Sequence, residues 1–175
     1  MELLQLISKF NDVRLSEKGR FKIEKISVNS NDVDEQTLFV AIRGSRADGH
    51  KYISEVCYKK AVGVVVENAE GVPRDYRGAV IVVDNTRRAL AEIAARFYGQ
   101  PSEKLFTTAV TGTNGKTSVS CMVEYLLQDS KGPVGVIGTI DHHLGQKVWP
   151  TQMTTPDAIT FQMRLREFVD LGAKS

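Results

Sequence analysis

The sequence predicts an α/β fold in two parts: a small N-terminal α/β domain, then the start of a second domain built on a parallel sheet. Three observations predict it. Apolar, β-branched runs at residues 37–42 and 62–66 are separated by segments whose apolar residues recur at helical spacing. A Gly-Gln-Pro-Ser stretch at residues 99–102 breaks that alternation. Behind it, an apolar run at 105–110 leads through a glycine-containing turn at 111–118 into a helical pattern at 119–127.

Taken in order, residues 2–10 put Leu3, Leu4, Ile7 and Phe10 on one side of a short helix. Residues 21–28 alternate, with Phe21, Ile23 and Ile26 against Lys22, Glu24 and Lys25, and predict a strand with a slip near its middle. Residues 37–42, TLFVAI, read as a buried strand. A polar loop from Arg43 to His50 follows, then a helix over about 52–60 and strands at 62–66 and 80–83. Asn85 or Thr86 can cap a helix over 87–98, which carries Leu90, Ile93, Ala94 and Phe97 as an apolar stripe. The break at 99–102 divides a domain of residues 1–100 from one of residues 101–175. In the second, 105–110 reads as a buried parallel strand, and 133–139 as the next strand of a βαβ crossover. Residues 141–152 read as loop or hairpin. A last helix opens at Thr154-Thr155-Pro156-Asp157, with Thr155 as cap and Pro156 at the first helical position. Gly172 is expected at its C-cap, with a new strand after it.

Composition narrows the function. The 175 residues are 42% hydrophobic and 25% charged, and the net charge of +2 offers nothing to nucleic acid. No apolar run is long enough to span a bilayer, and residues 1–10 lack the basic start and cleavage site of a signal peptide. Cys57 and Cys121 lie in different expected helices and read as reduced thiols of a cytoplasmic protein. The adjacent His142 and His143 have no carboxylate or cysteine at ligand spacing and make a weak metal candidate.

The chemistry concentrates at Gly112, Thr113, Asn114, Gly115, Lys116, Thr117 and Ser118. Strand, glycine turn, helix is the layout of a phosphate-binding loop. Glycines let successive N–H groups turn into one concavity, and the helix start adds unpaired donors and the positive end of its dipole. Lys116 adds a mobile charge for terminal phosphates, and Thr117 a hydroxyl for Mg²⁺. The general pattern G-x-x-x-x-G-K-[ST] would put a glycine at Val110, so the first glycine is missing.

The string Thr-Gly-Thr-Asn-Gly-Lys-Thr after an apolar strand resembles the ATP loop of the Mur ligase family, whose loop has this same glycine spacing. Those enzymes are ATP-dependent amide-bond synthetases of peptidoglycan precursor assembly. The resemblance extends through Leu38-Phe39-Val40-Ala41, Gly44 and Asp48-Gly49-His50. Asn29-Ser30-Asn31 keeps only the serine of the family's Asp-Ser-Arg triplet, and Thr154-Thr155-Pro156 is similar to the tripeptide-forming, MurE-type branch.

The resemblance implies a UDP-binding N-terminal domain and a truncated P-loop ATPase domain. It implies that Ser30, Ser45, Arg46 and Ala47 hold the uridine end of a UDP-sugar, and that Thr154 and Thr155 bind UDP-MurNAc-dipeptide near its acyl group. ATP and Mg²⁺ are the implied cofactors, with Lys116 catalytic on the β/γ-phosphates and Thr117 near the metal. The implied reaction adds a diamino acid, diaminopimelate or lysine, through an acyl phosphate, in a full-length enzyme expected to be a cytoplasmic monomer with no nucleic-acid partner. The 175 residues alone are expected to be inactive. The rival readings are a non-catalytic UDP-sugar or nucleotide-binding module, another P-loop phosphotransferase, and the dipeptide-adding ligase.

Overall fold

The structure is a computed structural model that describes residues 1–8, 10, 12–14, 22–44, 47–151 and 153–175. Two units are distinct, Met1–Phe97 and Tyr98–Ser175.

The first unit runs α1 (Leu3–Ile7), β1 (Asp12–Arg14), β2 (Lys25–Ser27), β3 (Thr37–Val40), α2 (Ile53–Tyr58), β4 (Gly63–Val66), β5 (Ala79–Val82) and α3 (Thr86–Phe97). Its sheet has the order β1-β5-β4-β3-β2, with β2 to β5 parallel and β1 antiparallel on the edge. Every residue of β3 and β4 is buried, as uncharged, largely β-branched runs covered on both faces must be. Side chains alternate across a strand. Phe39, Ala41, Val64 and Val66 pack with Ile53, Val56 and Cys57 of α2. The strand period turns Leu38, Val40 and Val65 to the other face, where α3 packs on β4 and α1 on α3. Arg96 Nη1 donates to the Leu6 carbonyl at 2.6 Å and ties those two helices together. The strand expected at 21–28 shortens to β2, and its start at Phe21 lies outside the described residues.

The second unit runs α4 (Lys116–Lys131), β6 (Gly135–Ile137), β7 (His142–Leu144), β8 (Lys147–Trp149) and α5 (Ala158–Asp170). Leu165, Phe168 and Ala173 form its core with Leu105, Ile137, Leu144, Trp149 and Phe161 around them. Trp149 meets Phe168 edge-on, ring centroids 5.7 Å apart.

Three expectations are corrected here. Residues 105–110 form no strand: Leu105 and Val110 are half-buried, Phe106 to Ala109 are exposed, and Phe106 N donates to Lys174 O at 2.9 Å. A parallel strand of that composition needs hydrogen-bonded neighbours on both sides and a covering layer, which the described residues do not form around it. Residues 133–139 do not pair in parallel either. β6 pairs antiparallel with β7, and β7 with β8, because the turn at Gly145, φ 56°, folds 142–149 into a hairpin beside it. Finally, Asp157 rather than Thr155 caps α5, accepting from Ile159 N at 3.0 Å and Thr160 N at 3.1 Å. A carboxylate placed to take two amides at a helix's positive end outcompetes a hydroxyl two residues earlier.

The C-terminal end of α5 follows expectation. Gly172 has φ 87°, and Ala173 N returns to Phe168 O at 2.9 Å while Gly172 N reaches Val169 O at 3.0 Å. The chain then runs extended between two others: Lys174 N donates to Pro133 O at 2.8 Å, and Gly135 N to Ser175 O at 2.9 Å.

Candidate functional site

In the first unit, the polar groups gather where β3, β4 and β5 end. Ligands of open parallel sheets sit beyond the carboxyl ends of the strands. The loop after β3 closes on itself: Gly44 N donates to Ala47 O at 2.8 Å, and Gly49 N to Ile42 O at 2.9 Å. A side chain at Gly49 would strike the backbone of Ile42 at 2.8 Å, so the close approach requires glycine. Arg43 Nε lies 3.1 Å from Glu67 Oε2 and 3.8 Å from Asp48 Oδ2. Thr86 Oγ1, at the start of α3, donates to Glu67 Oε1 at 3.3 Å, and Arg87 to the Arg43 carbonyl at 2.8 Å.

His50 completes this cluster. Its Nε2 accepts from Glu67 N at 3.1 Å, so Nδ1 is the protonated nitrogen and donates to Asp48 Oδ1 at 2.8 Å. Bonds from the His50 amide and then the His50 ring hold the Asp48 carboxyl below the usual carboxylate range. Of the expected uridine contacts, Ser45 and Arg46 lie outside the described residues, and Ala47 is exposed at the loop's return. Ser30 sits in the β2–β3 crossover, 9% exposed, and its carbonyl accepts from Lys59 Nζ at 2.8 Å rather than from the loop. Asn29 caps that crossover turn, its side chain accepting from Asn31 N at 3.0 Å.

In the second unit, Gly115 turns with φ 77° into the first residue of α4. A Cβ there would meet nothing within 4 Å, so the glycine serves the backbone turn and not a tight contact. Among the described residues no side chain caps α4, which leaves the amides of its first turn to another acceptor. Lys116 Nζ folds back onto the carbonyls of Gly112 at 2.8 Å and Thr113 at 3.4 Å. Residues 111–115, Thr117 and Ser118 are exposed. Unpaired amides, a left-handed glycine and a lysine held on its own loop suit a polyphosphate. For a metal, Thr117 offers one hydroxyl, and Mg²⁺ customarily takes the rest of its shell from phosphates and water.

A cavity of about 510 Å³ joins the distant parts of this unit. Lys116 and Thr117 line it together with Thr154 and Thr155, which stand outside any helix or strand before α5. Thr154 Oγ1 accepts from Thr139 Oγ1 at 3.2 Å. Ser120 and Glu124 line the same cavity. Lys116, Ser120 and Glu124 stand four apart and so share one face of α4. Sequence reasoning missed Ser120 and Glu124 because it followed only the helix's apolar residues. It missed Glu67 because nothing in sequence links the end of β4 to the loop after β3.

Comparison with known proteins gives a consistent picture. Residues 22–98 match the family described as Mur ligase family, catalytic domain, and residues 110–175 match the Mur ligase middle domain. The UDP-N-acetylmuramoyl-L-alanyl-D-glutamate--2,6-diaminopimelate ligase of Aquifex aeolicus is 42% identical over 154 residues, covering 88% of this chain and 31% of the relative. The ligase of the same name from Bacillus cereus is 35% identical over 175 residues, 100% of this chain and 35% of the relative. The chain thus spans about a third of the length of the curated relatives it matches. A solved structure of MurF from Acinetobacter baumannii shares the fold, with a TM-score of 0.54 at 24% identity over 94% of this chain and 31% of that one.

Proposed function

The chain belongs to the Mur ligase family, and from that premise we propose that it supplies the sugar-nucleotide end and the phosphate loop of an ATP-dependent ligase. The reaction is addition of a diamino acid to UDP-MurNAc-L-Ala-D-Glu in peptidoglycan precursor synthesis. The names of these relatives favour diaminopimelate as that amino acid. The observation that supports the reading most is the shared cavity, in which Lys116 and Thr117 stand with Thr154 and Thr155. The solved structures of the D-alanyl-D-alanyl-adding ligase support the architecture and not that activity, since their identity is 23–24%.

ATP, when bound, supplies the phosphoryl group that activates the substrate carboxylate as an acyl phosphate, with Mg²⁺ offsetting charge. The chain's own residues prepare for this. The first-turn amides of α4 and the Lys116 ammonium take the phosphate oxygens, where two anionic reactants must be held together. Binding there turns Lys116 away from the carbonyls of Gly112 and Thr113. The Thr117 hydroxyl is the protein's share of the Mg²⁺ shell. Thr154 and Thr155 orient the acyl end of the sugar-linked dipeptide, and Ser30, Ser45, Arg46 and Ala47 its uridine end. Among the described residues no helix is long and apolar enough to cross a membrane. A nucleotide-linked substrate and ATP fit a cytoplasmic site.

The test is direct. UDP-MurNAc-L-Ala-D-Glu titrated into the 175-residue chain is expected to bind and to be displaced by UDP but not by ADP. Equal displacement by ADP would refute the uridine assignment. With ATP, Mg²⁺ and diaminopimelate or lysine added, mass spectrometry is expected to show no tripeptide, because two thirds of the relatives' length is missing from the reaction. Tripeptide formed at the rate of a complete ligase would overturn that division of labour.

A further inference from the structure

The adjacent histidines have no part in the reading above. Strand β7 turns them to opposite sides. His142 is 2% exposed, and its ring nitrogens have no hydrogen-bond partner among the described residues. His143 faces α4. Its Nδ1 lies 2.6 Å from Asp141 Oδ1, and its Nε2 lies 3.0 Å from Glu124 Oε1. An ionised carboxylate only accepts, so the two bonds coexist when both ring nitrogens donate, which is the imidazolium form of the ring. No lone pair is then left for a metal ion. The register neighbours of His143 are Val136 on β6 and Val148 on β8, neither of them titratable. Glu124 from α4 and Asp141 from the turn are therefore the charges that face the ring among the described residues.

Both carboxylates lead to the candidate site. Glu124 ends the row Lys116, Ser120, Glu124 that begins at the phosphate loop and lines the cavity. Asp141 closes the turn after β6, accepting from Gly138 N at 3.1 Å through its carbonyl. Within that turn, Thr139 holds Thr154. Helix α4 buries none of its residues, and Met122, Tyr125 and Leu126 are largely exposed. Packing alone therefore fixes the helix weakly, and polar ties carry more of its placement.

We propose that His143 is a positioning residue for the nucleotide, bridging Glu124 and Asp141 so that the helix starting at the phosphate loop is locked to the turn that carries Thr139 and, through it, Thr154. The inference deepens the phosphate-loop reading and rests on it. The lock depends on the ring's charge. Burial works against that charge, but the bonds to Asp141 and to Glu124 outweigh it and hold the imidazole above its ordinary value. The charged bridge is therefore complete below the ordinary imidazole range and is lost as pH rises through the raised value.

Mg·ATP binding to the 175-residue chain, measured by calorimetry across that range, tests the proposal. Comparison of variants at each pH removes the nucleotide's own titration. His143→Ala is expected to weaken binding about threefold to tenfold near pH 6, with the gap closing at high pH. Glu124→Gln keeps an acceptor for Nε2 without the charge. Its affinity is expected to fall off at a lower pH than that of the wild type, a shift that a merely structural contact would not give. Wild type that fails to bind Mg·ATP would sink the phosphate-loop reading and this role of His143 together. Wild type that binds, with His143→Ala and Glu124→Gln matching it at every pH, would sink this inference alone.

Discussion

Lys116→Ala is expected to separate folding from nucleotide binding. Among the described residues its ammonium bonds to the carbonyls of Gly112 and Thr113, both on an exposed loop. Truncation removes those two contacts from a solvated surface and leaves no buried group unsatisfied, so thermal stability is expected to change by less than about 0.5 kcal/mol. On binding, the same ammonium exchanges these carbonyls for phosphate oxygens. A hydrogen bond to a charged group is worth about 1.5–3 kcal/mol. At about 1.4 kcal/mol per decade, Mg·ATP affinity should fall roughly tenfold to 150-fold. The assay is calorimetric titration of wild type and variant, with a thermal melt of each. Affinity within about twofold of wild type, with an unchanged melt, would refute the assignment of Lys116 to the terminal phosphates. A melt that collapses would show instead that the lysine braces the loop.

Three further outcomes are expected. Asp157→Ala, which removes the α5 cap and a 2.7 Å bond from Thr160 Oγ1, should cost the second unit about 1–2 kcal/mol in a denaturant titration, whereas Thr155→Ala should cost under about 0.5; the reverse order would reinstate Thr155 as cap. An alkylating reagent followed by peptide mapping should modify exposed Cys121 well before Cys57, which is buried in the α2 layer with its thiol pushed up to about 12 by burial and then by the Asp75 charge; equal labelling would contradict that packing. His142 is held below its ordinary value by burial and then by the Arg164 charge, so the stability it contributes is present above the unfolded value near 6.5 and is lost as pH falls toward the lowered one; His142→Gln should flatten that acid-side loss in melts, and an unchanged slope would count against it.

The first unit was legible because burial on both faces writes itself into sequence. Residues 37–42 and 62–66 carry no charge, and the alternate residues of β3 and β4 serve α2 on one face and the α3 side on the other. β1 escaped notice for the opposite reason. It is a three-residue edge strand, Asp12–Arg14, with a charge at each end, and its pairing with β5 over Asp12–Val82 is set by tertiary contact and not by any local pattern.

The second unit inverts this relation between pattern and burial. The apolar run at 105–110 and the apolar residues of α4 promise a buried strand and a covered helix, yet the run is mostly exposed and the helix buries nothing. Local composition states what a segment can bury, and whether it does so depends on which neighbours stand beside it. Lys174 and Ser175 are such neighbours, bonding to Phe106 on one side and to Pro133 and Gly135 on the other. Polar spacing survived where apolar spacing misled. Gly115, Lys116 and Thr117 sit at the start of α4, a position set by local turn chemistry and helix geometry rather than by a packed core. The same geometry carries the row on to Ser120 and Glu124 and, through Glu124, to His143. A polar row of period four on a helix that leaves a phosphate loop was thus the readable signal, and it lay in residues that an apolar search passes over.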